Sequence, residues 1–245
     1  MAGRSARIEM GTRVGHASAM PNATEPPALV IFDLDGVLAD SEPLSAAALI
    51  AELAEIGHEV TPAEVRRDFL GRSFPTVAAG LRARLGAAFP ADFEDRYRRR
   101  LFAAFDAGLG PTPGAAEMLA RLRVPARIAT SSTPRRARHA LELCGFWDRF
   151  GAALDTASEV PNGKPAPDLF LLSAARAGVP PHRCLVIEDS APGVAAARAA
   201  GMASVLYLGG GHHRGAVWDG PAPSLGTLEH WDALGDMIPG MLEAR

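Results

Sequence analysis

The chain predicts an α/β protein: a parallel β-sheet core with helices on both faces and an all-helical domain inserted after the first strand. Three observations carry this. Short, almost continuous apolar runs recur, as at Ala28 to Leu34 (ALVIFDL), and such runs suit strands buried on both faces of a parallel sheet. Helix-like segments closed by glycine separate the later runs. Residues 43–110 show helical periodicity and no strand-like run.

In chain order, residues 1–27 hold Gly, Ser, Pro and three arginines without apolar periodicity. They read as a disordered tail, with an Arg-bearing, acid-poor transit segment as the alternative. The strand at Ala28 to Leu34 is followed by Asp40-Ser41-Glu42-Pro43, a hinge into the insertion. Helices are expected at Leu44 to Ile56, Pro62 to Leu70, Phe74 to Leu85 and Ala91 to Phe105, and Gly108 to Gly114 (GLGPTPG) is the hinge back. Further strands are expected at Ala126 to Ala129, Ala152 to Leu154, Cys184 to Ile187 and Ala203 to Leu208. Helices at Pro134 to Leu143, Pro167 to Ala177 and Ala191 to Ala200 close at Gly145, Gly178 and Gly201. Alternating strand and helix gives a Rossmann-like core of residues 28–42 and 111–245, with 43–110 as a lid over one end of the sheet.

A chain of 245 residues can bury a sizeable core unaided. Its two cysteines, Cys144 and Cys184, share no metal or redox spacing, which fits a reducing, cytoplasmic setting. A net charge of -3 with no basic stripe argues against a nucleic-acid partner. The one basic cluster, Arg96 to Arg100, lies beside Asp92, Glu94 and Asp95 and reads as a solvated, salt-bridged helix face. No apolar stretch approaches the ~20 residues of a membrane span. A monomer or weak homodimer acting on a small molecule is expected. One count is sharper: of 25 basic residues, only Lys164 is a lysine.

In open parallel sheets, ligands bind at the carboxyl ends of strands. The first run ends in Asp33-Leu34-Asp35-Gly36, where alternation puts both carboxylates on one side and the glycine permits a sharp turn. Two such acids are costly without a cation or a reaction to use them, although turn or capping acids share the pattern. Thr130-Ser131-Ser132-Thr133-Pro134 opens a helix with hydroxyls that either cradle an oxyanion or cap the helix. Lys164 occupies the tight turn Pro161-Asn162-Gly163-Lys164-Pro165, aimed at a cleft or at solvent. Glu188-Asp189-Ser190 ends the fourth run, and with Asp33 and Asp35 it forms an oxygen-rich set suited to a hard cation such as Mg2+. Nothing matches the His/Cys sets of zinc sites.

Together these segments resemble the haloacid dehalogenase superfamily of phosphotransferases, in the branch with a helical cap inserted after the first strand. That branch includes phosphatases of sugar phosphates, phosphoglycolate and phosphogluconate, and the phosphosugar mutases. FDLDGVLADSE (32–42) resembles the first motif, Ser131 the second, Lys164 in GKPAPD the third, and IEDSAPGVAAARAAGM (187–202) the fourth. The resemblance implies a Mg-dependent phosphoric monoester hydrolase of a small phosphorylated metabolite. In it Asp33 is the nucleophile that forms an aspartyl-phosphate, and Asp35 is first general acid and then general base. Ser131, with Ser132 beside it, and Lys164 hold the phosphoryl oxygens. Magnesium is held by Asp33, the backbone carbonyl of Asp35 and Asp189, with help from Glu188. Arg72, in Leu70-Gly71-Arg72-Ser73, matches the cap's substrate loop and is either a contact to the distal end of the substrate or a surface arginine. Gly209 to His213 (GGGHH) resembles the phosphogluconate phosphatases of the branch and is expected as an exposed loop rather than a metal-binding pair.

Other chemistries of the family fit less well. Its dehalogenases need no second acid, yet Asp35 is present, and its phosphonate-cleaving members use a cap lysine that this insertion lacks. The mutases carry a histidine four residues after the hydroxyl matching Ser41, where this chain has Ser45. A non-catalytic phospho-ligand-binding protein would be favoured by loss of a motif residue, and none is lost.

Overall fold

The computed structural model of the protein describes residues 26–69 and 72–243, so residues 1–25 of the expected tail lie outside them. Strands β1 (Leu29–Phe32), β2 (Ala126–Thr130), β3 (Leu154–Thr156), β4 (Cys184–Glu188), β5 (Ala203–Tyr207) and β6 (Thr227–Leu228) form one parallel sheet. Its order is β3-β2-β1-β4-β5-β6. The first strand is therefore central, with Val30 in register with Ala126 on one side and Leu185 on the other. Successive β1 side chains feed opposite layers. Val30 and Phe32 join Ile128, Ile187 and Val205, whereas Leu29 and Ile31 join Ala129, Val186, Leu169 and Phe170. Burial on both faces is why this strand shows no polar alternation.

Helices α1 (Glu42–Ala54), α2 (Pro62–Asp68), α3 (Phe74–Leu85) and α4 (Phe93–Gly108) lie between β1 and β2. They are followed by α5 (Ala115–Arg121) before β2, α6 (Pro134–Leu143) and α7 (Trp147–Phe150) before β3, α8 (Asp168–Ala177) before β4, α9 (Ala191–Ala199) before β5, and α10 (Leu234–Met237) after β6. In the insertion, Leu49 and Leu53 of α1 share an apolar cluster with Leu101 and Phe105 of α4. Beside it, Arg96 and Arg100 pair with the buried Glu52 of α1, and Arg100 also pairs with Glu55. Arg98 of the cluster pairs within its own helix, with Glu94. The basic cluster is thus a bolt between two helices rather than a purely local solvated face.

Both connections to the insertion are tied to the core. Asp40 N donates to Gly110 O at 3.0 Å and Thr112 N to Leu38 O at 2.9 Å, so the outgoing and returning segments lie side by side. Other boundaries moved. Helix α1 begins at Glu42, inside the expected hinge, and β3 begins at Leu154 because Gly151–Ala153 forms a 3-10 turn. The short elements α5, α7, α10 and β6 carry too few residues for a period to register. No helix among the described residues is long and apolar enough to cross a membrane.

A buried ionic knot joins β2, β3 and α8. Asp155 accepts from Arg127 Nε and Nη2 at 2.9 and 2.8 Å, from the Ser173 hydroxyl at 2.6 Å and from Arg176 at 2.5 Å. Burial alone raises its pKa, but Arg127, Ser173 and Arg176 outweigh that and hold the carboxyl below its ordinary 3.8. Asp155→Asn leaves Arg127 without its counter-charge, so we expect a loss of about 3 kcal/mol at neutral pH in urea denaturation. A depressed folded pKa stabilises above the unfolded value and ceases to as pH falls through the folded one. The gap between wild type and variant should therefore narrow below about pH 4.

Candidate active site

The carboxyl edge of the sheet gathers acids around one ammonium. Asp33 follows β1 and Lys164 lies in the loop between β3 and α8. Lys164 Nζ donates to Asp33 Oδ1 at 2.5 Å, to Glu188 Oε1 at 2.6 Å and to Ala129 O at 3.0 Å, which uses all three of its protons. The side chain is 1% exposed and its Nζ lies 4.9 Å from the Phe170 ring centroid. Burial opposes its charge, but Asp33 and Glu188 prevail and raise its pKa. The other Glu188 oxygen, Oε2, accepts from the backbone N–H groups of Asp189 and Ser190 at 2.8 and 2.7 Å and from the Ser190 hydroxyl at 2.9 Å. Gly193, in the first turn of α9, leaves room for this carboxylate, since a Cβ there would fall 1.8 Å from it.

Ligand atoms of Asp33, Glu188 and Asp189 lie within 4.8 Å of one another. Burial, reinforced by Glu188 and Asp189 against the pull of Lys164, pushes the Asp33 carboxyl well above its usual range. Burial and then Glu188 do the same to Asp189. Asp33 Oδ2 accepts no hydrogen bond from the described residues. Hard oxygens, converging and short of positive charge, fit a cation such as magnesium.

Asp35 sits in opposite surroundings. Its Oδ1 accepts from Ser41 Oγ at 2.6 Å and Arg136 Nη2 at 2.8 Å, and its Oδ2 from Ser132 Oγ at 2.5 Å and Thr130 Oγ1 at 3.3 Å. Burial works to raise its pKa, but Arg136 and the three hydroxyls outweigh burial and lower it. Arg136 Nη2 also donates to Ser45 Oγ at 3.0 Å on α1, and the guanidinium lies 5.6 Å from the Phe105 ring centroid on α4. One α6 arginine thereby links the core acid to the inserted helices. Ser131, partly exposed between Thr130 and Ser132, makes no side-chain hydrogen bond to the described residues. Arg72 is exposed on the rim of a cleft of about 680 Å³, which it lines with Arg66 from the insertion and Asp189, His212, His213 and Trp218 from the core.

Expected as an exposed loop, residues 211–213 instead form a 3-10 turn packed on the site. The His212 side chain is only 7% exposed, with Nε2 3.0 Å from Asp189 Oδ2. His213 Nε2 lies 3.0 Å from the Asp189 carbonyl oxygen. Three preceding glycines disguise this arrangement as a flexible stretch. Their actual reason is space: a Cβ at Gly210 would fall 2.6 Å from Gly36 O, and one at Gly211 3.0 Å from Asp40 Oδ2. Arg136 escapes notice in the sequence, because arginines are too frequent in it to signal a site, and nothing there pairs Thr130 and Ser41 with Asp35 or Ser45 with Arg136.

Comparison with known proteins gives a consistent result. The family model described as haloacid dehalogenase-like hydrolase matches residues 27–201. The chain is 35% identical over 188 residues to the Drosophila melanogaster "Probable pseudouridine-5'-phosphatase", covering 72% of this chain and 79% of that one. It is 33% identical over 228 residues to phosphoglycolate phosphatase of Pseudomonas fluorescens, covering 89% and 80%. A similarity of 31% to the Arabidopsis thaliana chloroplastic protein SUPPRESSOR OF QUENCHING 1 covers 81% of this chain but spans only 20% of that protein. Among solved structures, a HAD family hydrolase from Deinococcus radiodurans with bound phosphate and sodium superposes with a TM-score of 0.67 at 33% identity, covering 90% of this chain and 99% of that one.

Glu42 offers a test of the electrostatics that needs no substrate. It is buried at the start of α1, and burial followed by Asp35 pushes its pKa up to about 8, with Arg136 and His212 opposing. A raised folded pKa stabilises below the unfolded value, and that stability is lost as pH rises through the folded one. In urea denaturation of the metal-free protein, Glu42→Gln should therefore gain on wild type by more than about 1 kcal/mol between about pH 5 and pH 8.5, one pKa unit being worth about 1.4 kcal/mol.

Proposed function

This chain belongs to the haloacid dehalogenase-like hydrolases, and on that premise we propose that it is a magnesium-dependent phosphatase of a small phosphorylated metabolite, a sugar phosphate or phosphogluconate-like compound. The observation that carries the reading is Asp33 itself: one oxygen is pinned by Lys164 while the other accepts no hydrogen bond from the described residues at the edge where the carboxylates converge. An oriented carboxylate with a free lone pair is what a nucleophile requires. Two of the relatives named above, the probable pseudouridine-5'-phosphatase and the phosphoglycolate phosphatase, are named for small phosphorylated compounds, which supports the substrate class.

In this reading Asp33 Oδ2 attacks phosphorus, the bond from phosphorus to the ester oxygen breaks, and Asp35 gives the leaving oxygen a proton, which it can carry only once Arg136 and the hydroxyls that lower its pKa have let go. Asp35 then takes a proton from the water that attacks the aspartyl-phosphate, releasing inorganic phosphate and restoring Asp33. Ser131, whose hydroxyl makes no hydrogen bond to the described residues, holds the phosphoryl oxygens, with Ser132 and Lys164 joining it as each gives up a present acceptor. Magnesium, held by Asp33, Asp189 and the Asp35 backbone carbonyl, would offset the negative charge on the phosphoryl oxygens. Glu188 aims Lys164 with one oxygen, accepts three hydrogen bonds at the head of α9 with the other, and would help to hold the magnesium. Residues 43–110 act as a cap, with Arg72 reaching the distal end of the substrate. Ser45 occupies the place of the mutase histidine, and its hydroxyl is engaged by Arg136, which favours hydrolysis over phosphoryl return.

The test is phosphate release from sugar phosphates, phosphogluconate and phosphoglycolate with magnesium or with EDTA. Wild type should release phosphate only with magnesium, and Asp33→Asn should be slower by at least about 10³-fold. Asp35→Asn should slow the reaction and retain phosphate on the protein. Magnesium-independent release, or a wild-type rate in Asp33→Asn, would refute the mechanism.

A further inference from the structure

We infer that His212 is a positioning residue that fixes Asp189 for cation binding, with His213 as its second clamp. The inference rests on the reading of Asp189 as a metal ligand. A carboxylate that ligates through one oxygen keeps its direction only if the other is held, and such supporting partners commonly set metal affinity. His212 Nε2 lies 3.0 Å from Asp189 Oδ2, and His213 Nε2 lies 3.0 Å from the carbonyl oxygen of the same residue. One turn therefore grips Asp189 at both side chain and backbone.

Three features show that the turn is built for this contact. Nε2 of His212 stands at ion-pair distance from the Asp189 carboxylate and its Nδ1 is buried without a partner among the described residues, so Asp189 is the charged group this ring faces most closely. Close glycines then wedge the ring in place: a Cβ at Gly36 would fall 2.8 Å from its Cε1, and one at Gly210 2.9 Å from the same atom. Gly211 N also donates to Asp40 Oδ1 at 2.8 Å, so the turn spans the acid-bearing loops after β1 and β4 and fixes their relative position.

The experiment is calorimetric titration of the full chain with Mg2+ for wild type, His212→Leu, His212→Gln and Asp189→Asn, with half-maximal magnesium for phosphate release as a second readout. Asp189→Asn should lose the binding heat. His212→Leu should weaken Mg2+ by about 10- to 100-fold. His212→Gln should recover most of the affinity, because its amide nitrogen reaches nearly to the Nε2 position. If His212→Leu binds Mg2+ as wild type does while Asp189→Asn does not, the inference fails and the metal site stands. If Asp189→Asn binds unchanged, the metal reading fails and takes the inference with it. Should His212→Leu not fold, His212→Asn replaces it: its shorter amide cannot reach, so equal affinities in His212→Asn and His212→Gln would overturn the role.

Discussion

The ammonium of Lys164, buried at the carboxyl edge of the sheet and shared between Asp33 and Glu188, is the contact on which the rest of the site depends. An unpaired buried charge costs several kcal/mol, so Lys164 is stable there only because two carboxylates meet it. Those carboxylates in turn need more than one ammonium. With Asp189 beside them, three acids face one base, and Asp33 and Asp189 are pushed toward the protonated form. The edge is therefore left wanting positive charge. One oxygen of Glu188 is met by two backbone N–H groups and the Ser190 hydroxyl just ahead of α9, a favourable end of the helix for an anion.

Two residues along the chain the balance reverses. Asp35 is as buried as Asp33, yet it is met by three hydroxyls and a guanidinium, and its pKa is lowered where that of Asp33 is raised. These directions are the reverse of the proposed roles, so a cation must lower Asp33 and withdrawal of Arg136 must raise Asp35 before the nucleophile is ionised and the acid protonated. Part of the cause lies outside the core: Arg136 reaches Asp35 and the α1 hydroxyl of Ser45 with the same nitrogen. Any displacement of the inserted helices alters the partners of Arg136, and with them the field at Asp35. Placement of the insertion and proton affinity in the core are physically one variable.

Much of this was legible in the sequence where burial leaves a simple trace. Strands buried on both faces write continuous apolar runs, so β1, β2, β4 and β5 stand out. The two-residue strand β6 and the one-turn α7 do not, because a period needs length. The Asp33, Asp35, Glu188 and Asp189 acids show themselves by ending apolar runs, and Lys164 by being the only lysine. Partners that arrive through tertiary contact leave no such mark. Arg136 is one arginine among many, and Glu42, buried with a pKa near 8, sits in what reads as a polar hinge. His212 follows three glycines whose smallness reflects crowding by Gly36, Asp40 and Tyr207, not looseness. Composition records how often a residue type occurs, whereas these roles depend on what stands opposite.

The contrast between the chain's one lysine and its arginines follows from geometry. At Lys164 three acceptors from different strand ends converge on one point, at 2.5, 2.6 and 3.0 Å, and an ammonium presents three donors from a single atom. A planar fork spreads its donors over several ångströms and cannot place three of them at one position. At Arg136 the demand is the opposite: a span from Asp35 in the core to Ser45 on α1, with an aromatic face at Phe105 to cover. A wide, flat cation suits that span, even with its Nε left buried and unpartnered. Lysine persists where charge must be concentrated and arginine where it must bridge, so exchanging the two would fail at both places although neither exchange changes the net charge.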